Sequence, residues 1–134
     1  MQTAGPQSTR DIIWTLQNAV IQMIGEGISL PTIMDFICRE AEQAAGNDVL
    51  CSILAVGSDK RLRTLAAPNL PLKYSQALNG LMIGPDTGSC GAAAYHGHEV
   101  TTVDLETHPN WAPYRHLAVM LNVKACWSSP IRSR

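Results

Sequence analysis

Val49-Leu-Cys-Ser-Ile-Leu-Ala-Val56, Gly57-Ser-Asp-Lys60 and Arg61-Leu-Arg-Thr-Leu-Ala-Ala67 decide the fold class. The first run is apolar on both parities, the pattern of a strand covered on both faces. Gly57–Lys60 gathers turn-forming residues. The third run returns as a more exposed strand, so the three together predict an antiparallel hairpin.

Helices are expected before the hairpin. Ile13, Leu16, Val20 and Met23 step by 3, 4 and 3 along a helix over 11–25, with Ile12, Ala19 and Ile24 widening the seam. Two readings stay open: a helix packed on its own domain, or a parallel helix pair joining two copies and carrying a signal along it. Residues 1–10 are polar and read as a disordered tail, with a linker or signalling helix over 11–27. A second helix begins after Ser29 with Pro31 in its first turn. Leu30, Ile33, Met34, Ile37, Ala41 and Ala44 form its apolar stripe, Asp35, Arg39, Glu40, Glu42 and Gln43 its wet side, and Gly46 its stop.

After the hairpin, 71–79 predicts a short helix and 81–83 a minimal strand. Ser89–His96 reads as a helix capped by Ser89 and stopped by Gly97. Val100–Leu105 reads as a strand, and Tyr114, Leu117, Ala118 and Leu121 mark one helix face ended by Asn122. The last strand puts Val123, Ala125, Trp127 and Ile131 on one face, and Lys124, Cys126 and Ser128 on the other. Strands and helices are mixed around a hairpin, which predicts an α+β fold: a central antiparallel β-sheet with helices on both faces.

The 134 residues are 46% hydrophobic and 16% charged, which supports one domain with a buried core over 28–134. A net charge of −1 lacks the general basic footprint of a nucleic-acid or anionic-membrane binder. No apolar run reaches the ~20 residues of a membrane span. The amino terminus lacks the apolar centre of a signal peptide. Cys38, Cys51, Cys90 and Cys126 have no CxxC spacing and read as reduced thiols of a cytoplasmic protein.

The chemistry-bearing stretch is Gly84-Pro-Asp-Thr-Gly-Ser-Cys-Gly-Ala-Ala-Ala94. A glycine-bearing turn feeding a helix start offers free N–H groups to an anion or a carbonyl, and would lower the Cys90 pKa. The same glycines and alanines also suit a helix packed closely on a sheet. The GK[ST] ending of a P-loop is missing. His96 and His98 form a pair without a third neighbour in sequence, so no metal site is expected. Trp111 and Tyr114 read either as a pocket rim or as core anchors.

Gly84-Pro-x-x-Gly-Ser-Cys-Gly-x-Ala-Ala, Glu99-Val, Val103-Asp104, His108-Pro-x-Trp111-x-x-Tyr-Arg115 and Ala125-Cys-Trp-Ser-x-Pro-Ile131 together resemble a GAF domain. The kind resembled is found in bacterial signalling proteins, attached to diguanylate cyclase or cyclic di-GMP phosphodiesterase modules or to sensor kinases. The resemblance implies a PAS-like three-layer sandwich and a non-catalytic sensory domain with an attached output module, and the Ile13, Leu16, Val20 and Met23 seam adds the expectation of a homodimer. It implies a pocket for a small molecule walled by Ser89, Cys90, Asp104, Trp111, Tyr114, Arg115 and Trp127. It names no cofactor, and it implies neither nucleic acid nor membrane as partner. The chain stops where this family turns into another central strand and a final helix. A C-terminal strand and helix are therefore expected to be missing or supplied by another copy, leaving an apolar edge at Val49–Val56. A ligand-free dimerisation module is the alternative. The free methionine sulfoxide reductases of the same family share Gly88–Ala94, but need a further cysteine within 91–125, where this chain has none.

Overall fold

A computed structural model describes residues 8–46 and 48–133. The chain divides into two compact units, Met1–Ile53 with Leu65–Asn69, and Leu54–Thr64 with Leu70–Arg134.

The first unit holds helices α1 (Thr9–Gly25) and α2 (Leu30–Ala45), which contact each other. α1 starts two residues earlier than the sequence predicts, because the Ser8 hydroxyl accepts the Asp11 N–H at 3.2 Å and caps it. Ser8, Thr9 and Arg10 thus belong to the helix and its cap, and the rest of the expected tail lies outside the described residues. No residue of α1 is fully buried. Ile12, Leu16, Ala19, Val20 and Met23 are half-buried, whereas Ile13, Trp14, Ile21 and Ile24 are exposed. At 100° per residue these are two adjacent apolar faces, and the second has no partner among the described residues.

α2 follows the predicted start and stop. Pro31 sits in the first turn, and Gly46 ends the helix with φ +100°, which suits a residue without a side chain. Its buried line differs from expectation. Ile33, Cys38 and Glu42 are buried, while Leu30 and Ala44 are exposed. Glu42 is therefore not on the wet side. Its carboxylate accepts the Cys51 N–H at 2.8 Å and the Asn69 side-chain amide, and these donors repay its desolvation.

Strands β1 (Ile53–Val56) and β2 (Leu62–Ala66) form the predicted hairpin. Its second strand buries Leu62 and Ala66 on one parity. The first strand is shorter than predicted and not covered on both faces. Val56 is exposed, as are Val49 and Leu50, which precede the strand, and among the described residues β1 pairs with β2 alone.

In the second unit, residues 80–83 run antiparallel to 60–62. Leu62 N–H donates to Leu81 C=O at 2.8 Å, and Ile83 N–H to Lys60 C=O at 2.9 Å. Helices α3 (Leu72–Leu78) and α4 (Cys90–His96) follow, then β3 (Val100–Thr102). A 3₁₀ turn (Pro109–Tyr114) leads into α5 (Arg115–Leu121), which Asn122 ends in the left-handed region at φ +53°. Strand β4 (Cys126–Ser128) pairs antiparallel with β3, placing Thr102 opposite Cys126.

Two apolar clusters hold this unit. Tyr74, Leu78 and Leu117 pack with Leu54, Leu70, Leu81 and Leu121, and Leu105, Trp111 and Ala118 with Val123 and Cys126. Tyr114 touches both. Helices and antiparallel strands agree with an α+β domain. Among the described residues the strands form two separate two-stranded sheets instead of one central sheet. No helix among them is long and apolar enough to cross a membrane.

Candidate functional site

The motif turn Gly84–Gly88 delivers the site. Gly88 lies at φ +56°, against the Trp111 ring, so the turn reverses tightly beneath an indole. α4 then begins with Gly91, Ala92 and Ala93 all buried. A Cβ on Gly91 would stand 2.7 Å from Thr87 Cβ, which identifies the glycine as a close-approach position.

Ser89 is fully buried, and it does not cap α4 with its side chain as its sequence position predicts. Its hydroxyl accepts the Trp111 indole N–H at 3.0 Å and shares a hydrogen bond with the Thr102 hydroxyl at 2.9 Å. Three buried polar groups from the α4 start, β3 and the 3₁₀ turn are thereby satisfied by one another. Trp111 is both core anchor and wall, and stands edge-on to Tyr114 at 6.4 Å.

Cys90 follows in the next position. Strand pairing fixes what it meets. Thr102 and Cys126 are cross-strand partners, so their side chains share a sheet face. Thr102 points at Ser89, and Cys126 accordingly lies beside the start of α4. Cys126 also packs against the Leu105, Trp111 and Ala118 cluster. The Cys126 thiol and the Ser128 hydroxyl hold Cys90 below the ordinary thiol range, against the opposing effect of burial. Cys126 is raised because it holds its proton in the bond to Cys90 and is desolvated. The lowering at Cys90 comes from these donors, where the sequence pointed to the helix start.

A recess opens between these groups and the apolar wall of Leu62, Tyr74, Leu78, Leu81 and Leu117. Burial pushes the Tyr74 phenol above its ordinary range. The cavity measures about 20 Å³, room for about one water molecule.

Four of the seven residues expected at the pocket line this recess: Ser89, Cys90, Trp111 and Tyr114. Asp104, Arg115 and Trp127 do not. Asp104 is exposed, and its carboxylate accepts the Glu106 N–H at 3.0 Å as a turn cap. Arg115 is exposed at the start of α5. Trp127 is 69% exposed, because β4 turns the parity of Cys126 and Ser128 inward and its own outward. Sequence reading therefore missed Thr102, Cys126 and Ser128. For Cys126 and Ser128 the signal was the small-polar parity of the last strand, whereas Thr102 lies in β3 and is identified only by its bond to Ser89.

The His96 and His98 rings stack at 5.3 Å, with His96 Nε2 on the Pro85 carbonyl and His98 Nδ1 on that of Glu99. No group of three His, Cys, Asp or Glu side chains suited to a metal occurs among the described residues.

The GAF domain family matches residues 27–134, which span α2 and the whole candidate site. The chain is also similar to the Methyl sulfide methyltransferase-associated sensor of Methanosarcina acetivorans, at 32% identity over 118 residues. That match covers 87% of this chain and 12% of the relative's length. No solved structure matches the chain.

Proposed function

Because the chain belongs to the GAF domain family, we propose that it is a non-catalytic sensory module that binds a small molecule at the Ser89–Trp111 recess. A sensor-named relative supports the regulatory role. The observation that carries the ligand reading is the recess itself: Ser89, Cys90 and Thr87 line it together with the largely apolar Leu62, Leu78, Leu81, Trp111 and Leu117. Asp104, Arg115 and Trp127 join the site only in a rearranged, ligand-bound form. The unpartnered stripe Ile13–Trp14–Ile21–Ile24 of α1 supports a homodimer joined through that helix, which passes the signal to a covalently attached output module. By resemblance that module is a cyclic di-GMP synthesising or degrading domain or a histidine kinase, in a cytoplasmic signalling protein. The open edge of β1 supports a three-layer sandwich completed by a strand and helix from outside the described residues, or by a second copy.

One measurement favours a second reading. A cavity of about 20 Å³ is far below the roughly 300 Å³ of a typical ligand pocket. This is what a ligand-free dimerisation module would show. Saturation binding against a panel of nucleotides and metabolites separates the two. A saturable ligand weakened at least tenfold by Ser89→Ala establishes sensing at this recess. A dimer that binds nothing on the panel establishes the second reading.

A further inference from the structure

Asn79 ends α3 and is followed by Gly80. In this pair the asparagine amide is open to attack by the chain itself, because glycine places no side chain beside the attacking backbone nitrogen. Every other asparagine, Asn18, Asn47, Asn69, Asn110 and Asn122, precedes a residue with a side chain. Asn79 is also exposed, so water and hydroxide reach it.

The fold holds both reacting groups apart. Asn79 Oδ1 accepts the Thr64 N–H of β2 at 2.7 Å, and the Gly80 N–H donates to the Leu62 carbonyl at 2.7 Å. The Arg61 guanidinium donates to the Gly80 carbonyl at 2.7 Å. Ring closure between the two groups needs the Gly80 nitrogen to eclipse Asn79 Cβ about the Cα–C bond. At the observed ψ of 124° they stand about a third of a turn apart. Turning that bond tears the Gly80 N–H from Leu62. It also carries residues 81–83 away from their bonds to Leu62 at 2.8 Å and to Lys60 at 2.9 Å.

We propose that Asn79–Gly80 is a site of spontaneous covalent modification to aspartate and isoaspartate, and that docking of residues 79–83 on β2 is the gate that keeps it unreacted. The site stands whether or not the recess takes a ligand. It bears on the recess through the wall: Leu78 and Leu81 both line it, and the isoaspartate product lengthens the main chain between them by one atom.

The chemistry balances in two steps. Hydroxide removes the Gly80 amide proton, and the nitrogen attacks Asn79 Cγ. The N–Cγ bond forms, the Cγ–Nδ2 bond breaks, and Nδ2 takes up a proton and leaves as ammonia. The five-membered succinimide that results then adds water at one of its two carbonyl carbons. Breaking the N–Cγ bond gives aspartate. Breaking the bond from the Gly80 nitrogen to the original main-chain carbonyl gives isoaspartate, with the chain routed through Cβ and Cγ. One water is consumed and one ammonia released, with no oxidation or reduction.

The test incubates the unmodified chain in mildly alkaline buffer, folded and in urea, and follows each asparagine by peptide mapping with fragmentation that distinguishes isoaspartate from aspartate. In urea, Asn79 should convert before the other asparagines. The folded chain should convert at least about tenfold more slowly, because reaction proceeds only from the undocked fraction. Arg61→Ala removes the bond to the Gly80 carbonyl without touching either reacting group. It should speed conversion in the folded chain about fivefold, the effect of one hydrogen bond on the undocking equilibrium, and leave the rate in urea unchanged. Equal rates in the folded and unfolded chain, another asparagine converting first in urea, or Arg61→Ala reacting at the parent's rate would each overturn the proposal. The first two outcomes are read on the unmodified chain, so they decide the matter even if Arg61→Ala fails to fold.

Discussion

Replacing Ser89 by Ala removes one oxygen and leaves two buried groups without a partner. Trp111 is 4% exposed and Thr102 1%, so neither the indole N–H nor the threonine hydroxyl can turn to water. An orphaned buried polar group costs about 1–3 kcal/mol. The threonine hydroxyl can rotate and relax, whereas the indole N–H is fixed by its ring. The sum is therefore about 2–4 kcal/mol. At a urea m-value of about 1.5 kcal/mol/M, 3 kcal/mol moves the unfolding midpoint by about 2 M. Trp111→Phe alone removes the donor and part of the ring, while Ser89 keeps Thr102 as partner. In the double variant no indole N–H remains to be orphaned, so its loss should fall short of the sum of the singles by about 1 kcal/mol or more. Urea unfolding of the three variants and the parent, followed by circular dichroism, measures the cycle. A Ser89→Ala loss below about 0.5 kcal/mol, or strict additivity, would refute the reasoning.

Three further outcomes are expected. Glu42→Ala should lose about 2–4 kcal/mol in the same unfolding assay, because the Cys51 N–H and the Asn69 amide lose their acceptor, and Glu42→Gln should lose less. Gly91→Ala should lower the thermal midpoint although Ala favours helices, because its Cβ would overlap Thr87 Cβ at 2.7 Å, and Thr87→Ser with Gly91→Ala should recover part of the loss. Stability should fall with pH above the ordinary thiol range. Cys38 is raised from 9.0 to about 12, chiefly by burial, so between those values the folded state keeps a proton that the unfolded state has released. Its contribution is complete below about pH 9 and declines by about 1.4 kcal/mol per pH unit above it. Cys38→Ala should flatten that limb in pH-dependent urea titrations.

Local signals were legible in the sequence. Pro31 and Gly46 marked the ends of α2, Asn122 the end of α5, and the turn residues Gly57–Lys60 the hairpin of β1 and β2. Each rests on dihedral preference or periodicity among near neighbours. What escaped depends on partners distant in the chain. Glu42 looked like a surface residue until Cys51 and Asn69 supplied donors. Trp127 was expected at the pocket by resemblance, yet the register of β4 on β3 turns it outward. The Ser89 hydroxyl suited a helix cap by position, but Trp111 and Thr102 engage it instead. Strand pairing has the same character, since which edges meet is set by contacts far apart in sequence.

Trp111 also has an energetic consequence for access to the recess. Withdrawing it breaks the Gly88 N–H bond to the Asn110 carbonyl at 3.1 Å and the indole bond to Ser89 at 3.0 Å. About 1 kcal/mol for each bond and about 3 kcal/mol for wetting the ring give about 5 kcal/mol. The open form is then populated on the order of 10⁻⁴, and a compound that enters only that form binds about 10⁴-fold more weakly than its intrinsic affinity. Weak binders at ambient concentration leave the closed form undisturbed. Under the proposed sensing role, only a compound whose intrinsic affinity exceeds that handicap would shift the population, and the indole would act as a threshold separating background metabolites from a signal.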